Sequence, residues 1–198
     1  MKKIFLAALL VVSCNVFANG VSPKTNSNKS VYVGATGGFV YDGLNNNLFK
    51  EHTTNFAGRA FVGYNFTKHF AVETGYLITD KRDLKFAIND KVIKNFKIKQ
   101  QIADLTLRVN IPLDESFIAY ARGGVTYFQP LDGEKFNKDK INITYGAGLD
   151  YKISKNLTAG VSWSHYNGGS KNPVDIIYKK QQPSLDLYGF SVSYKINI

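Results

Sequence analysis

Phe190-Ser191-Val192-Ser193-Tyr194-Lys195-Ile196-Asn197-Ile198 sets an apolar side chain at every even position and a polar one at every odd position. Successive side chains of an extended strand point to opposite faces, so this stretch predicts a strand with one apolar and one polar face. Such a strand needs hydrogen-bonded neighbours and an apolar medium against one side.

The same period recurs upstream in seven more segments. About 31–41 puts Val31, Val33, Ala35, Phe39 and Tyr41 on one face and Gly34, Thr36 and Gly38 on the other. About 56–66 sets Ala60, Val62, Tyr64 and Phe66 against Arg59, Gly63 and Asn65. About 70–79 sets Phe70, Val72, Tyr76 and Ile78 against Glu73 and Gly75. The fourth alternates Ala103, Leu105, Leu107, Val109 and Ile111 with Asp104, Thr106, Arg108 and Asn110. The fifth, about 117–128, turns Arg122 inward together with Ile118 and Tyr120. The sixth alternates Ile141, Ile143, Tyr145, Leu149 and Tyr151 with Asn142, Thr144, Gly146, Gly148, Asp150 and Lys152. The seventh sets Leu157, Ala159, Val161 and Trp163 against Gly160, Ser162 and Ser164.

The connections between these segments alternate in length. Long ones (about 42–54, 80–99, 129–140 and 167–183) separate short ones at Thr67-Lys68-His69, Pro112 to Ser116 and Ser154-Lys155-Asn156. Long extracellular loops and short periplasmic turns are the signature of an outer-membrane barrel. Aromatic residues cluster at both strand ends, as at two lipid-water interfaces: Phe66, Phe70, Phe117, Tyr151 and Tyr194 near the short turns, Tyr41, Phe56, Tyr76, Tyr127 and Trp163 near the long loops. After Val12 no segment is apolar enough for a transmembrane helix, which leaves a closed barrel as the way to satisfy the backbone in lipid. The expected fold is therefore all-β, an eight-stranded antiparallel up-and-down transmembrane barrel over residues 30–198.

The N-terminus carries an export signal. Met1-Lys2-Lys3 is a cationic head, Ile4 to Val12 an apolar run too short to span a bilayer, and Val16-Phe17-Ala18 a site for a signal peptidase. Residues 1–18 read as a signal peptide and 19–29 as a short flexible periplasmic leader. A second processing route stays open, since Val11-Val12-Ser13-Cys14 fits a lipobox. Cys14 is the only cysteine, so no internal disulfide is available. Taking Lys2 and Lys3 from the 25 basic residues leaves 23 against 15 acidic, a net charge of +8 after the signal. An exported basic chain meets lipopolysaccharide phosphates, anionic lipids or host-surface polyanions before any nucleic acid.

Val62-Gly63-Tyr64 through Glu73-Thr74-Gly75-Tyr76, Leu105-Thr106-Leu107-Arg108 through Tyr120-Ala121-Arg122-Gly123-Gly124, and Gly189 to Lys195, taken in order and spacing, resemble the eight-stranded domain of the OmpA-like small outer-membrane barrels. The resemblance spans 30–198 and implies insertion by the barrel assembly machinery into the bacterial outer membrane. It also implies the transmembrane domain alone, without the family's peptidoglycan-binding domain. Family barrels usually end in an aromatic residue, whereas Ile198 stands here. In the family, carboxylates and basic side chains plug the lumen and have been read as a gate. By position Glu73, Arg108, Asp150 and Arg122 match that cluster, while the seventh-strand basic residue falls at Gly160.

An eight-stranded barrel is just wide enough for its side chains, so inward charges must pair. The expected interior ion-pair network is Arg59, Glu73, Asp104, Arg108, Arg122, Asp150 and Lys152. Lys81, Arg82, Lys85, Lys91, Lys94, Lys97 and Lys99 form a basic surface loop interleaved with Leu84, Phe86, Ile88, Val92, Ile93 and Phe96.

Four functions are open to such a chain. A structural barrel presenting loops to lipopolysaccharide, phage or host surfaces fits every feature. His165-Tyr166-Asn167 is similar to the motif of barrel-shaped lipid A deacylases, but Asn167 occupies the serine position and an amide is no nucleophile. A pore would be narrow, and a soluble lipocalin-like carrier would turn its apolar face inward. The scattered histidines His52, His69 and His165 build no metal site, and no cofactor is expected.

Overall fold

The computed structural model describes residues 29–42, 55–80, 82–88, 91–130, 141–170 and 182–197, and structural statements refer to these. Residues 1–28, where a signal peptide and most of the leader are expected, lie outside them. Eight strands, β1 (Ser30–Asp42), β2 (Asn55–Asn65), β3 (Phe70–Thr79), β4 (Gln100–Pro112), β5 (Phe117–Pro130), β6 (Ile141–Lys152), β7 (Leu157–Tyr166) and β8 (Leu185–Asn197), form one closed antiparallel barrel. Each strand pairs with its sequence neighbours, and β1 closes the ring by pairing with β8, Val33 opposite Tyr194 and Phe39 opposite Tyr188. No helix occurs among the described residues.

The three short turns share one device. Thr67 Oγ1 accepts from the N–H groups of His69 and Phe70 at 3.1 and 3.0 Å. Asp114 Oδ1 takes those of Ser116 and Phe117, both at 2.6 Å. Ser154 Oγ takes those of Asn156 and Leu157 at 3.3 and 3.0 Å. A short oxygen-bearing side chain two and three residues ahead of the donors satisfies backbone that the ladder leaves open, and so fixes where each strand reverses.

The long stretch expected at 80–99 is not an open loop. Its residues form a two-stranded antiparallel hairpin, Arg82–Ile88 with Lys91–Ile98, a sheet of its own that follows β3 and precedes β4 in the chain. Leu84, Phe86 and Ile88 alternate with Asp83, Lys85 and Ala87, so the period of a strand was present in the sequence. The register shifts between Phe86 and Ala87, a bulge after which Ala87 pairs with Val92 and Ile88 with Lys91.

Outward positions are apolar, with Leu107 52% and Val161 47% exposed in mid-strand, while the alternate positions are buried in the lumen. Aromatic pairs brace the two ends: Phe39 with Phe56 and Tyr41 with Tyr188 at the long-loop end, Phe117 with Tyr151 at the short-turn end. A charge at a lipid-facing mid-strand position costs about 2–4 kcal/mol. Leu107→Arg and Val161→Arg should each lower stability by that amount in a urea titration in phospholipid vesicles. Lumen-facing Thr106→Ser should cost about 1 kcal/mol or less. Equal losses on the two faces would contradict the assignment.

Candidate functional site

The lumen is layered along the barrel axis, and its middle layer is ionic. Arg59 on β2 binds Asp104 on β4 through two parallel bonds, Nε to Oδ2 at 2.9 Å and Nη2 to Oδ1 at 2.6 Å. Glu73 on β3 is the hub. Its Oε1 lies 2.8 Å from Arg59 Nη2 and 2.8 Å from Arg122 Nη1. Its Oε2 accepts from the Tyr32 hydroxyl at 3.1 Å and faces Arg108 Nη1 at 3.8 Å. Arg108 also binds Asp150 on β6 and donates to Asn110 Oδ1 at 2.7 Å, with its guanidinium 3.6 Å over the Tyr120 ring. Arg122 reaches across to Ser164 and Tyr166 on β7. Arg59 and Glu73 are each 2% exposed.

Three guanidinium groups thus face three carboxylates, and the cluster is neutral. Lys152, grouped with these residues from the sequence, does not belong to it. It ends β6 in an exposed position and donates from Nζ to the Glu115 carbonyl at 2.9 Å in the adjacent turn. A long basic side chain at the mouth of a lumen extends to water, which solvates it better than a filled interior would. Gly160, where the resemblance implied a basic residue, lies beneath Asp150, and a Cβ there would collide with the carboxylate. Gly63 beneath Tyr32, Gly75 beneath Arg59 and Gly148 beneath Tyr120 leave the same kind of room. Around the cluster a cavity of about 10 Å³, lined by Thr36, Glu73, Arg108, Ser162 and Ser191 among others, has space for about one water.

Toward the long-loop end the lumen becomes apolar. Val40, Ala57, Leu77, Ile102, Phe128, Tyr166, Leu185 and Leu187 form one buried cluster to which every strand except β6 contributes. Sequence reading missed this layer, and also Tyr32, Ser164 and Tyr166 as partners of the charges. The available signal was a run of apolar residues where strict alternation lapses, as in Phe39-Val40-Tyr41 and Tyr76-Leu77-Ile78. At the opposite end Tyr32 packs edge-on against Phe61 beside Ala71.

Of the basic stretch, Arg82, Lys85, Lys91, Lys94 and Lys97 occupy hairpin positions, with Lys97 opposite Asp83 and Lys94 opposite Phe86. Lys99 is half-buried between hairpin and β4, and Lys81 lies outside the described residues. His165 projects from the outward face, bonds Asp186 through Nδ1 at 2.9 Å and packs on Tyr145. Asn167 follows it, and its side-chain oxygen accepts from Ser184 Oγ at 3.5 Å.

The family profile described as outer membrane protein β-barrel domain matches residues 4–195. Comparison with curated protein sequences finds no match. Among solved structures, OprG of Pseudomonas aeruginosa is 16% identical, with 87% of this chain and 99% of that one covered at a TM-score of 0.53. Neisserial surface protein A is 14% identical over 86% and 98%, TM-score 0.53. The attachment invasion locus protein of Yersinia pestis, solved with the heparin analogue sucrose octasulfate, is 14% identical over 85% and 97%, TM-score 0.50.

Breaking a buried ion pair by removing one partner costs about 3–5 kcal/mol. Glu73→Ala, which strips the hub from three arginines, should lose at least that much in the urea titration. Lys152→Gln should change stability by no more than about 0.5 kcal/mol. Equal effects would mean that the cluster does not hold the lumen together.

Proposed function

The chain belongs to the outer membrane protein β-barrel domain family and resides in the bacterial outer membrane as a multi-span barrel, and on that premise we propose that it works at the cell surface as a structural and interaction protein. The observation that carries this reading is the lumen. A neutral ionic layer and an apolar layer lie in series across it, which favours a barrel that transports nothing. Function is then left to the surface above the rim.

The hairpin Arg82–Ile88 and Lys91–Ile98 offers that surface. Basic residues dominate it, and it stands on the side where the long loops meet lipopolysaccharide phosphates and host-surface polyanions. The attachment invasion locus protein shares the fold and was solved with a sulfated polyanion, which makes heparin a natural probe here. The enzymatic alternative draws no support from His165, because Asn167 at the expected nucleophile position cannot attack a carbonyl.

Purified barrel in neutral phospholipid vesicles should bind heparin, and the affinity should fall steeply with salt, because exposed charges are screened beyond about 8 Å at physiological ionic strength. Lys91→Gln, Lys94→Gln and Lys97→Gln together should reduce binding about tenfold or more while the folded barrel keeps its heat-dependent electrophoretic shift. Unchanged affinity in the triple variant would remove the hairpin from the function. Steady conductance of the wild-type protein in planar bilayers would overturn the closed-lumen reading.

A further inference from the structure

Where β7 and β8 part, the chain carries an asparagine followed by glycine, Asn167-Gly168, a pairing that occurs otherwise only at Asn19 in the leader. Tyr166 opposite Leu185 is the last ladder pair of the two strands. Beyond it both amides of the dipeptide are held. The Asn167 N–H donates to the Ile143 carbonyl on β6 at 3.1 Å, and the Gly168 N–H donates to Ser184 Oγ at 3.1 Å. The Ser184 hydroxyl in turn donates to Asn167 Oδ1 at 3.5 Å. Gly168 and Ser184 are buried, whereas Asn167 is exposed. One hydroxyl thus joins a backbone nitrogen to the side-chain carbonyl of the residue before it, and a bond between that nitrogen and that carbonyl carbon closes a succinimide ring.

We propose that Asn167 is a site of self-modification, at which the Gly168 nitrogen attacks the Asn167 side-chain carbonyl and Ser184 relays the proton. Ser184 Oγ takes the proton of the Gly168 N–H while its own proton passes to Asn167 Oδ1, so the N–Cγ bond forms without a build-up of charge. The adduct collapses as the Cγ–Nδ2 bond breaks, and its hydroxyl proton leaves with the amine as ammonia. The succinimide then takes up one water, which reaches it because residue 167 is exposed, and opens to an aspartyl or an isoaspartyl residue. Glycine suits the attack because no Cβ crowds the nitrogen, and the held amides keep the reacting groups close. The amide that is no nucleophile is thus an electrophile. Its product adds a carboxylate two residues from His165 at the long-loop end. In the isoaspartyl form it also adds a methylene to the backbone where β7 leaves the ladder.

Purified barrel in phosphatidylcholine vesicles at neutral pH should accumulate aspartyl and isoaspartyl residues at 167, read by mass spectrometry of the proteolytic peptide. The rate should match or exceed that of the same chain unfolded in urea, whereas a fold that merely restrained the dipeptide would slow the reaction. Ser184→Ala should slow the folded protein about tenfold or more and leave the unfolded rate unchanged. Ser184→Thr, which keeps the hydroxyl, should restore the folded rate. Should Ser184→Ala lose its heat-dependent electrophoretic shift, the comparison of folded with unfolded wild type decides alone. A folded wild type slower than the unfolded chain, or a folded Ser184→Ala at the wild-type rate, would overturn the proposal.

Discussion

A cylinder closed by eight strands has an interior only as wide as the side chains that fill it. Water cannot solvate a charge there as it does in bulk, so every inward ionisable group must find a protein partner. The balance of three arginines and three carboxylates follows from that constraint, and so do the glycines beside them. Tyr32, Arg59 and Tyr120 each lie across a neighbouring strand at a position where a Cβ would intrude. The bidentate pair of Arg59 with Asp104 uses the geometry that a planar guanidinium supplies and an ammonium does not.

The axial order of the layers gives the two mouths different characters. Toward the short-turn end, Ser191 and Ser193 line the cavity beside the ionic cluster, Tyr32 and Phe61 pack next to them, and Lys152 reaches the turn carbonyl of Glu115. At the long-loop end, Leu77, Ile102, Phe128 and Leu187 cover it with hydrocarbon. Above that cover the backbone is again met by polar groups, as where Thr79 Oγ1 accepts from the Gln100 N–H at 3.0 Å.

Most of the barrel was legible in the sequence because one face is lipid and the other is not, so the period-two pattern is strong and a slip of one residue would reverse it. The turns were legible for a local reason, the Thr, Asp and Ser that cap them. The interior was legible where it is charged and opaque where it is apolar. An inward Val40 between Phe39 and Tyr41 looks like any membrane-facing residue, and only the closed geometry assigns it. Lys152 shows the converse error: alternation sets it in phase with Asp150 but says nothing about height along the axis, and its side chain leaves for the turn at Glu115. The hairpin at 82–98 was hidden by composition, since a lysine-rich run reads as solvated chain before its alternation is noticed.

Two of the carboxylates inside this barrel find their partners on strands that are not neighbours. Asp104 on β4 meets Arg59 on β2 across β3, and Asp150 on β6 meets Arg108 on β4 across β5. An isolated β3–β4 or β5–β6 hairpin therefore carries a carboxylate whose counter-ion lies on a different hairpin. Such a charge is tolerable while water still reaches it and costly once lipid surrounds it. Either hairpin alone is thus held back from the hydrocarbon, and the charges are matched only once β2 to β6 lie side by side.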